Sequence, residues 1–245
     1  MAHPQQLDFI CNFRDLLYNK EKSNKLDILE IGSYVVNASI RDFFNSSNYL
    51  GIDLLEGPGV DLVLNGENIK KLNKKFDVII SSECFEHAIN WKNIFKAMID
   101  CTKEDGYVAM TCASKGRYEH GTTRSNFFDT AIYKYKVDSS PGTKDEYYKN
   151  LTRKDFLKNF DIKKIFQKYF FFYNIHSFDL YFIGQKKNSD EDTLIYDLEK
   201  KVINDNNKKP SFRSIKRYIL HTLLPEKICH DLHFMNLKRL MKQKI

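Results

Sequence analysis

No window of the 245-residue chain approaches the roughly 18 to 20 uninterrupted apolar residues that a membrane-spanning helix needs. The start, Met1-Ala2-His3-Pro4-Gln5-Gln6, lacks the charged and apolar regions of a secretory signal, so a cytoplasmic chain is expected. Cysteine is sparse and scattered. Cys11, Cys84, Cys101, Cys112 and Cys229 form no Cys-x-x-Cys pair, which argues against a zinc ribbon and a disulfide framework and for reduced thiols; no residue is assigned to a metal. Glycine is missing where a dinucleotide fingerprint would need it. The run Ile31-Gly32-Ser33-Tyr34-Val35-Val36 holds a single glycine, which argues against NAD. There is no internal repeat, and no Asn/Asp-Pro-Pro-Tyr motif of the kind that handles a nucleobase.

Acidic charge is scarce at one end only. Residues 208–245 hold ten Lys/Arg against Glu226 and Asp231, a local +8 that leaves the first 207 residues at −1 of the net +7. A neutral body with a basic tail does not describe a nucleic-acid-binding surface, and no RNA-binding motif accompanies the charge. The tail reads as a solvated face or oligomer contact, with peripheral contact to a membrane or another protein and a homodimer left open.

What is present is a core. At 42% hydrophobic and 14% aromatic, the chain can bury one α/β domain plus an appendage. Apolar groups at Leu7, Ile10, Phe13, Leu16 and Leu17 recur at helical period, which predicts a leading helix. Residues 26–31 read as a strand broken by Gly32-Ser33, and residues 37–44 as a helix with Asn37 near its N-cap. A second strand over 49–52 ends at Asp53, a third over 60–64 stops at Asn65-Gly66, and a fourth begins at Phe76. A helix over 90–102, a strand over 106–112, a helix opening at Thr152 with Asp155 at its third position, and strands over 168–173 and 179–184 complete the pattern. This alternation predicts an α/β fold, a doubly wound and mostly parallel seven-stranded sheet. Residues 1–187 are expected to form one domain with 114–150 as a lid, and residues 188–245 an acidic linker and a basic helical extension punctuated by Pro210 and Pro225.

The fourth strand carries the chemistry. Phe76-Asp77-Val78-Ile79-Ile80 is a buried-strand pattern that runs into Ser81-Ser82-Glu83-Cys84-Phe85-Glu86-His87, and open α/β sheets build sites at such strand ends. Asp53 follows Glu30 at close to the spacing of about 20 residues at which a carboxylate meets a ribose diol.

The order Leu29-Glu30-Ile31-Gly32-Ser33, Gly51-Ile52-Asp53, Gly57-Pro58-Gly59-Val60-Asp61 and then the fourth-strand motif resembles the class I, Rossmann-like S-adenosylmethionine-dependent methyltransferases of type 11, over residues 26–113 and more loosely to 186. Tyr34 and Val36 stand where that family's loop usually has glycines. The stretch Gly32-Ser33-Tyr34-Val35-Val36-Asn37-Ala38-Ser39 is instead similar to a subgroup associated with surface-polysaccharide tailoring. The resemblance implies S-adenosylmethionine as cofactor, S-adenosylhomocysteine as its product, and donor contacts from Glu30, Gly32, Ser33, Asn37, Asp53, Leu54, Asn65, Gly66, Ser81 and Ser82. It implies O-methylation of a small-molecule acceptor, a sugar, sugar nucleotide or phosphorylated glycan precursor, with another small molecule as the alternative. A sulfonium donor has no pyrophosphate, so one close backbone approach at Gly32 suffices.

A hydroxyl acceptor must lose its proton, and His87 and His120 are the candidate bases, with Glu83 to orient a histidine or take the proton itself. Arg124, Tyr147 and Tyr148 are expected to bind the acceptor, Arg124 through a phosphate or carboxylate. A non-catalytic binding module built on the nucleotide fold is the competing class.

Overall fold

In the computed structural model, residues 4–21, 25–45, 47–122, 124–125, 147–186 and 193–242 are described. Seven strands form one sheet: β1 (Asp27–Ile31), β2 (Asn48–Asp53), β3 (Leu62–Val63), β4 (Phe76–Ser82), β5 (Thr102–Ala113), β6 (Phe166–Asn174) and β7 (Asp179–Lys186). Their order is β3-β2-β1-β4-β5-β7-β6. All neighbours pair in parallel except β7, which is antiparallel to both β5 and β6. The chain leaves β1 toward β2 and leaves β4 toward β5, on the other side. A crevice therefore opens between the C-terminal ends of β1 and β4, the switch point of the sheet.

Alternation along the strands sorts side chains onto two buried layers. Leu29, Ile31 and Ile79 face one layer, covered by α2 (Trp91–Cys101) and α3 (Arg153–Asn159), whose Trp91, Phe95, Met98 and Phe156 are buried. Ile28, Val78 and Ile80 face the other, covered by α1 (Pro4–Glu21) through Phe9, Ile10, Phe13 and Leu17. Thr152 and Asp155 close a capping box at the start of α3. A one-turn helix, α4 (Ile162–Ile165), leads into β6.

Two predicted elements differ. The helix expected over 37–44 is a 3₁₀ turn over Arg41–Phe44, and Ile40, not Asn37, stands at its N-cap. The preceding loop spends its backbone elsewhere: the Ser33 amide donates to Ile52 O at 3.1 Å and the Val35 amide to Pro58 O at 2.8 Å. Too few residues remain before β2 for an α-helix. The third strand is short because Asn65 caps a 3₁₀ helix over Gly66–Leu72, its side chain accepting from the Glu67 amide.

Residues 193–242 build three helices: α5 (Leu194–Asp205), α6 (Phe212–Leu223) and α7 (Glu226–Lys242). The first belongs to the core, where Leu194, Ile195, Leu198 and Val202 pack against α1 and the sheet. The α6 and α7 hairpin lies on the loop after β5. Arg217 stacks 3.5 Å from the Tyr118 ring centroid and donates to Gly116 O, while the His233 ring stacks on Tyr118 with centroids 3.7 Å apart. Among the described residues, no helix is long and apolar enough to cross a membrane. Most of the expected lid, 126–146, lies outside the described residues.

Candidate active site

The crevice between β1 and β4 is a cleft lined by Gly32, Tyr34, Asp53, Leu54, Asn65, Gly66, Ser82, Glu83, His87 and His120, with apolar walls from Ile31, Ile52, Leu64 and Ile94. Gly32 sits at φ +83°, and a Cβ there would fall 2.7 Å from the Cys84 Cβ. Glycine is required on both counts. Asp53, at the end of β2, accepts the Leu54 amide at 2.7 Å and the Tyr34 amide at 3.1 Å. Burial raises its carboxyl above the usual range, against the pull of the Tyr34, Leu54 and Leu55 amides. At Gly66 the backbone runs so tight that a Cβ would lie 2.7 Å from Ile31 Cγ2.

Four of the predicted donor residues do not reach the cleft. Glu30 lies between Leu29 and Ile31 and so points to the opposite face of the sheet, where the Tyr49 hydroxyl donates to it at 2.7 Å. Burial pushes its carboxyl up to about 7, with the Tyr49 hydrogen bond opposing. Ser33 is buried against Gly51 at the start of the loop. Ser81 donates to Ile31 O at 2.9 Å, tying β4 to β1; Ser82, one position on, faces the cleft and shares a hydrogen bond with Thr111 at 3.0 Å. Asn37 is exposed on the outer side of the loop.

The far end of the cleft holds a cluster of ionisable groups. Glu83 adopts φ 53°, a left-handed backbone that costs a non-glycine residue energy and turns its side chain inward from the strand end. The Gln6 amide, from α1, donates to Glu83 Oε1, while Glu83 Oε2 lies 3.0 Å from His120 Nε2. His120 Nδ1 is 3.0 Å from Tyr118 O and 3.0 Å from the Tyr148 hydroxyl. The rings of His87 and His120 meet edge-on at 5.6 Å, and Tyr148 meets His87 at 5.3 Å. The structure therefore brings together all three predicted catalytic residues and Tyr148.

It also adds a fourth ionisable residue, Glu86. Its side chain is fully buried, its Oε1 accepts the Ala113 amide at 3.2 Å and stands 3.7 Å from His120 Nε2. The signal was a second carboxylate close after Glu83: the left-handed backbone of Glu83 and the 3₁₀ turn over Phe85–His87 together turn the chain so that both carboxylates meet His120. Burial and then the Glu83 charge push the Glu86 carboxyl well above the usual carboxylate range. For Glu83, burial acts upward but the hydrogen bond and charge of His120 outweigh it and hold the group low. Burial and then the His120 charge push His87 down to about 3.

Two predicted acceptor residues point elsewhere. Arg124 is engaged by Glu119 and, at 2.7 Å, by Asp231 of α7, and its guanidinium lies 4.7 Å from the Phe234 ring centroid. It ties the loop to the hairpin and does not line the cleft. Tyr147 hydrogen-bonds the Trp91 indole on the α2 side of the sheet.

Residues 5–128, half of the chain and the part that carries the cleft, match the family model described as a methyltransferase domain. The chain belongs to that methyltransferase family. Among curated proteins, none matches it. Among solved structures, the methyltransferase chain is similar to the plantazolicin methyltransferase BpumL in complex with S-adenosylhomocysteine, at 14% identity over 76% of this chain and 85% of that chain, with a TM-score of 0.52. It is also similar to the N-methyltransferase NodS from Bradyrhizobium japonicum WM9, again with S-adenosylhomocysteine, at 10% identity over 76% of this chain and 90% of that chain, with a TM-score of 0.45. At such identities the likeness to BpumL is one of fold, the Rossmann-like sheet with its helical C-terminus. The S-adenosylhomocysteine bound to BpumL is the product form of S-adenosylmethionine, the cofactor implied by the sequence resemblance.

Proposed function

We propose that this methyltransferase transfers a methyl group from S-adenosylmethionine to a hydroxyl oxygen of a small polar acceptor. One observation carries the reading: Asp53 and the Glu83 and His120 pair face the two ends of a single cleft at the switch point of the sheet. Asp53 would hold the ribose hydroxyls of the donor by charge-assisted hydrogen bonds, and the apolar wall of Ile31, Leu64 and Ile94 beside Asn65 and Gly66 would take the adenine. The sulfonium then lies near Gly32 and Ser82, and the acceptor oxygen is held and activated at the Glu83 and His120 end. Methyl transfer is an in-line displacement, so holding oxygen, methyl carbon and sulfur collinear supplies much of the rate.

The acceptor class placed first is a sugar hydroxyl, as in a surface-polysaccharide precursor; the polar wall of Glu83, His87 and His120 supports a polyhydroxylated acceptor. A phosphorylated acceptor is less favoured, since Arg124 is engaged by Glu119 and Asp231. Calorimetry with S-adenosylhomocysteine tests the donor pocket, and the absence of binding heat would remove the enzyme reading in favour of a binding module. Labelled S-adenosylmethionine against free, phosphorylated and nucleotide-linked sugars tests the acceptor. On α6, exposed Phe212, Ile215, Ile219 and Leu223 beside Lys208, Arg213 and Lys216 support peripheral contact with an anionic membrane. Cosedimentation with phosphatidylserine vesicles that matched neutral vesicles would reject that contact.

A further inference from the structure

The hydrogen bonds of the Glu83, Glu86, His87 and His120 cluster do not close. His120 Nε2 faces Glu83 Oε2 at 3.0 Å, and His120 Nδ1 faces Tyr118 O at 3.0 Å. A neutral ring with its proton on Nε2 satisfies both nitrogens, donating to Glu83 and accepting at Nδ1 from the Tyr148 hydroxyl, 3.0 Å away. Glu86 Oε2, in a fully buried side chain, and His87 Nδ1, also buried, have no hydrogen-bond partners. A buried carboxylate oxygen and a buried imidazole nitrogen with nothing to bind are costly, and each calls for an explanation.

One positive group placed beside Glu86 Oε2 and His87 Nδ1 would account for both. Donor atoms of Glu86, His87 and His120 lie within 4.8 Å of one another, and Glu83 joins them through its contact with His120. Ligand atoms about 2.1 Å from a six-coordinate ion lie about 3.0 Å apart along an edge and about 4.2 Å apart across it. The 3.0 Å contact of Glu83 with His120 and the 3.7 Å contact of Glu86 with His120 fall within those limits, and the 4.8 Å bound on the group exceeds the wider limit by about 0.6 Å, so the side chains would draw in around an ion. We propose that Glu83, Glu86, His87 and His120 bind one divalent first-row transition-metal ion at the acceptor end of the cleft.

The surroundings fit that assignment. Two carboxylates balance a 2+ charge in a buried setting, and a mixed nitrogen and oxygen set suits Mn(II), Fe(II), Co(II) or Zn(II) better than calcium. With Nε2 on the metal, His120 donates Nδ1–H to Tyr118 O, and the Gln6 amide fixes Glu83 through its other oxygen. Outer partners of this kind orient metal ligands and set their tautomers.

The consequence for the acceptor rests on the methyl-transfer reading. Four protein ligands leave two positions on a six-coordinate ion, and Glu83, His87 and His120 line the cleft from which those positions are reached. An acceptor with two adjacent oxygens, a vicinal diol, would fill both. Metal binding lowers the pKa of the coordinated hydroxyl, which releases its proton to solvent. The oxygen lone pair then forms the bond to the methyl carbon as the carbon–sulfur pair leaves with sulfur, giving a methyl ether, S-adenosylhomocysteine and one proton.

The full-length protein, stripped with EDTA and dialysed, is titrated with MnCl₂ by calorimetry and by loss of the free Mn(II) electron paramagnetic resonance signal. One ion per chain is expected, with affinity at least tenfold weaker in both Glu86→Gln and His120→Ala. Wild-type protein that takes up neither Mn(II) nor Zn(II) above the level of a variant carrying both Glu86→Gln and His120→Ala would overturn the site. Circular dichroism and S-adenosylhomocysteine calorimetry on each variant report folding and the donor pocket independently. Donor binding without metal binding rejects this inference alone, and metal binding without donor binding rejects the methyl-transfer reading while the ion site stands. Turnover with a diol acceptor should fall at least tenfold on EDTA treatment and return with Mn(II); turnover indifferent to EDTA would overturn the ion's part in the reaction.

Discussion

Gly32, in the turn after β1, packs against Cys84, just past the end of β4: a Cβ at position 32 would lie 2.7 Å from the Cys84 Cβ and 3.0 Å from its Sγ. The same glycine holds φ +83°, so a side chain there meets both a steric and a backbone penalty. Gly32→Ala should lower stability by about 2 to 4 kcal/mol. It should also weaken S-adenosylhomocysteine binding at least tenfold. Thermal unfolding and calorimetry read the two effects, and a variant with wild-type affinity would mean that this turn does not shape the donor pocket.

Asp53→Asn keeps the shape of the side chain and one of its two amide contacts, sets its NH₂ against the other backbone N–H, and removes its charge. Charge-assisted hydrogen bonds contribute about 1.5 to 3 kcal/mol, so donor affinity should fall about ten- to a hundredfold, with a smaller fall in the unfolding midpoint from the lost amide contact. Unchanged affinity for S-adenosylhomocysteine would take the ribose role from Asp53.

Glu30 makes stability pH-dependent. Its carboxyl is raised from 4.5 to about 7 in the folded chain, burial being the cause, so the folded state holds the proton that the unfolded state gives up. Its contribution is fully present below about pH 4.5 and is lost as pH rises to about 7, a change of about 3 kcal/mol. Denaturant unfolding of wild type and Glu30→Gln from pH 4.5 to 7.5 checks the sign: the difference between them should move in favour of the variant as pH rises. A difference that stays flat would mean Glu30 ionises normally in the fold.

Phe95 is buried on α2 and meets Phe156 at 5.1 Å, Phe160 at 4.9 Å and Phe182 at 5.5 Å. It therefore joins α2, α3 and β7 in one aromatic cluster. Phe95→Ala should cost about 3 to 5 kcal/mol, read as a lower denaturant midpoint with an unchanged slope.

Much of the fold was legible along the chain. Phe76 to Ile80, the Gly32 break and the Thr152 and Asp155 capping box are local signals, and the elements formed where those signals stood. The segment at 37–44 failed as a helix because long-range hydrogen bonds to Ile52 O and Pro58 O claimed the loop before it. Ser82 and Asp53 reach the cleft while Ser81 and Glu30 do not. Alternation along a strand carries that distinction, and a reading by motif order alone passes over it.

The sequence by itself determined that strands running up to Gly32, Asp53 and Glu83 would share one C-terminal edge of the sheet, because period and turn chemistry are properties of neighbouring residues. Only the tertiary structure decided which far residues came back to that edge. His120 and Glu83 are 37 positions apart, Gln6 and Glu83 are 77 apart, and Arg124 turned to Asp231 instead of the cleft. Those choices depend on how α1, the loop after β5 and the C-terminal hairpin pack together, and packing is settled by burial and charge across the whole chain.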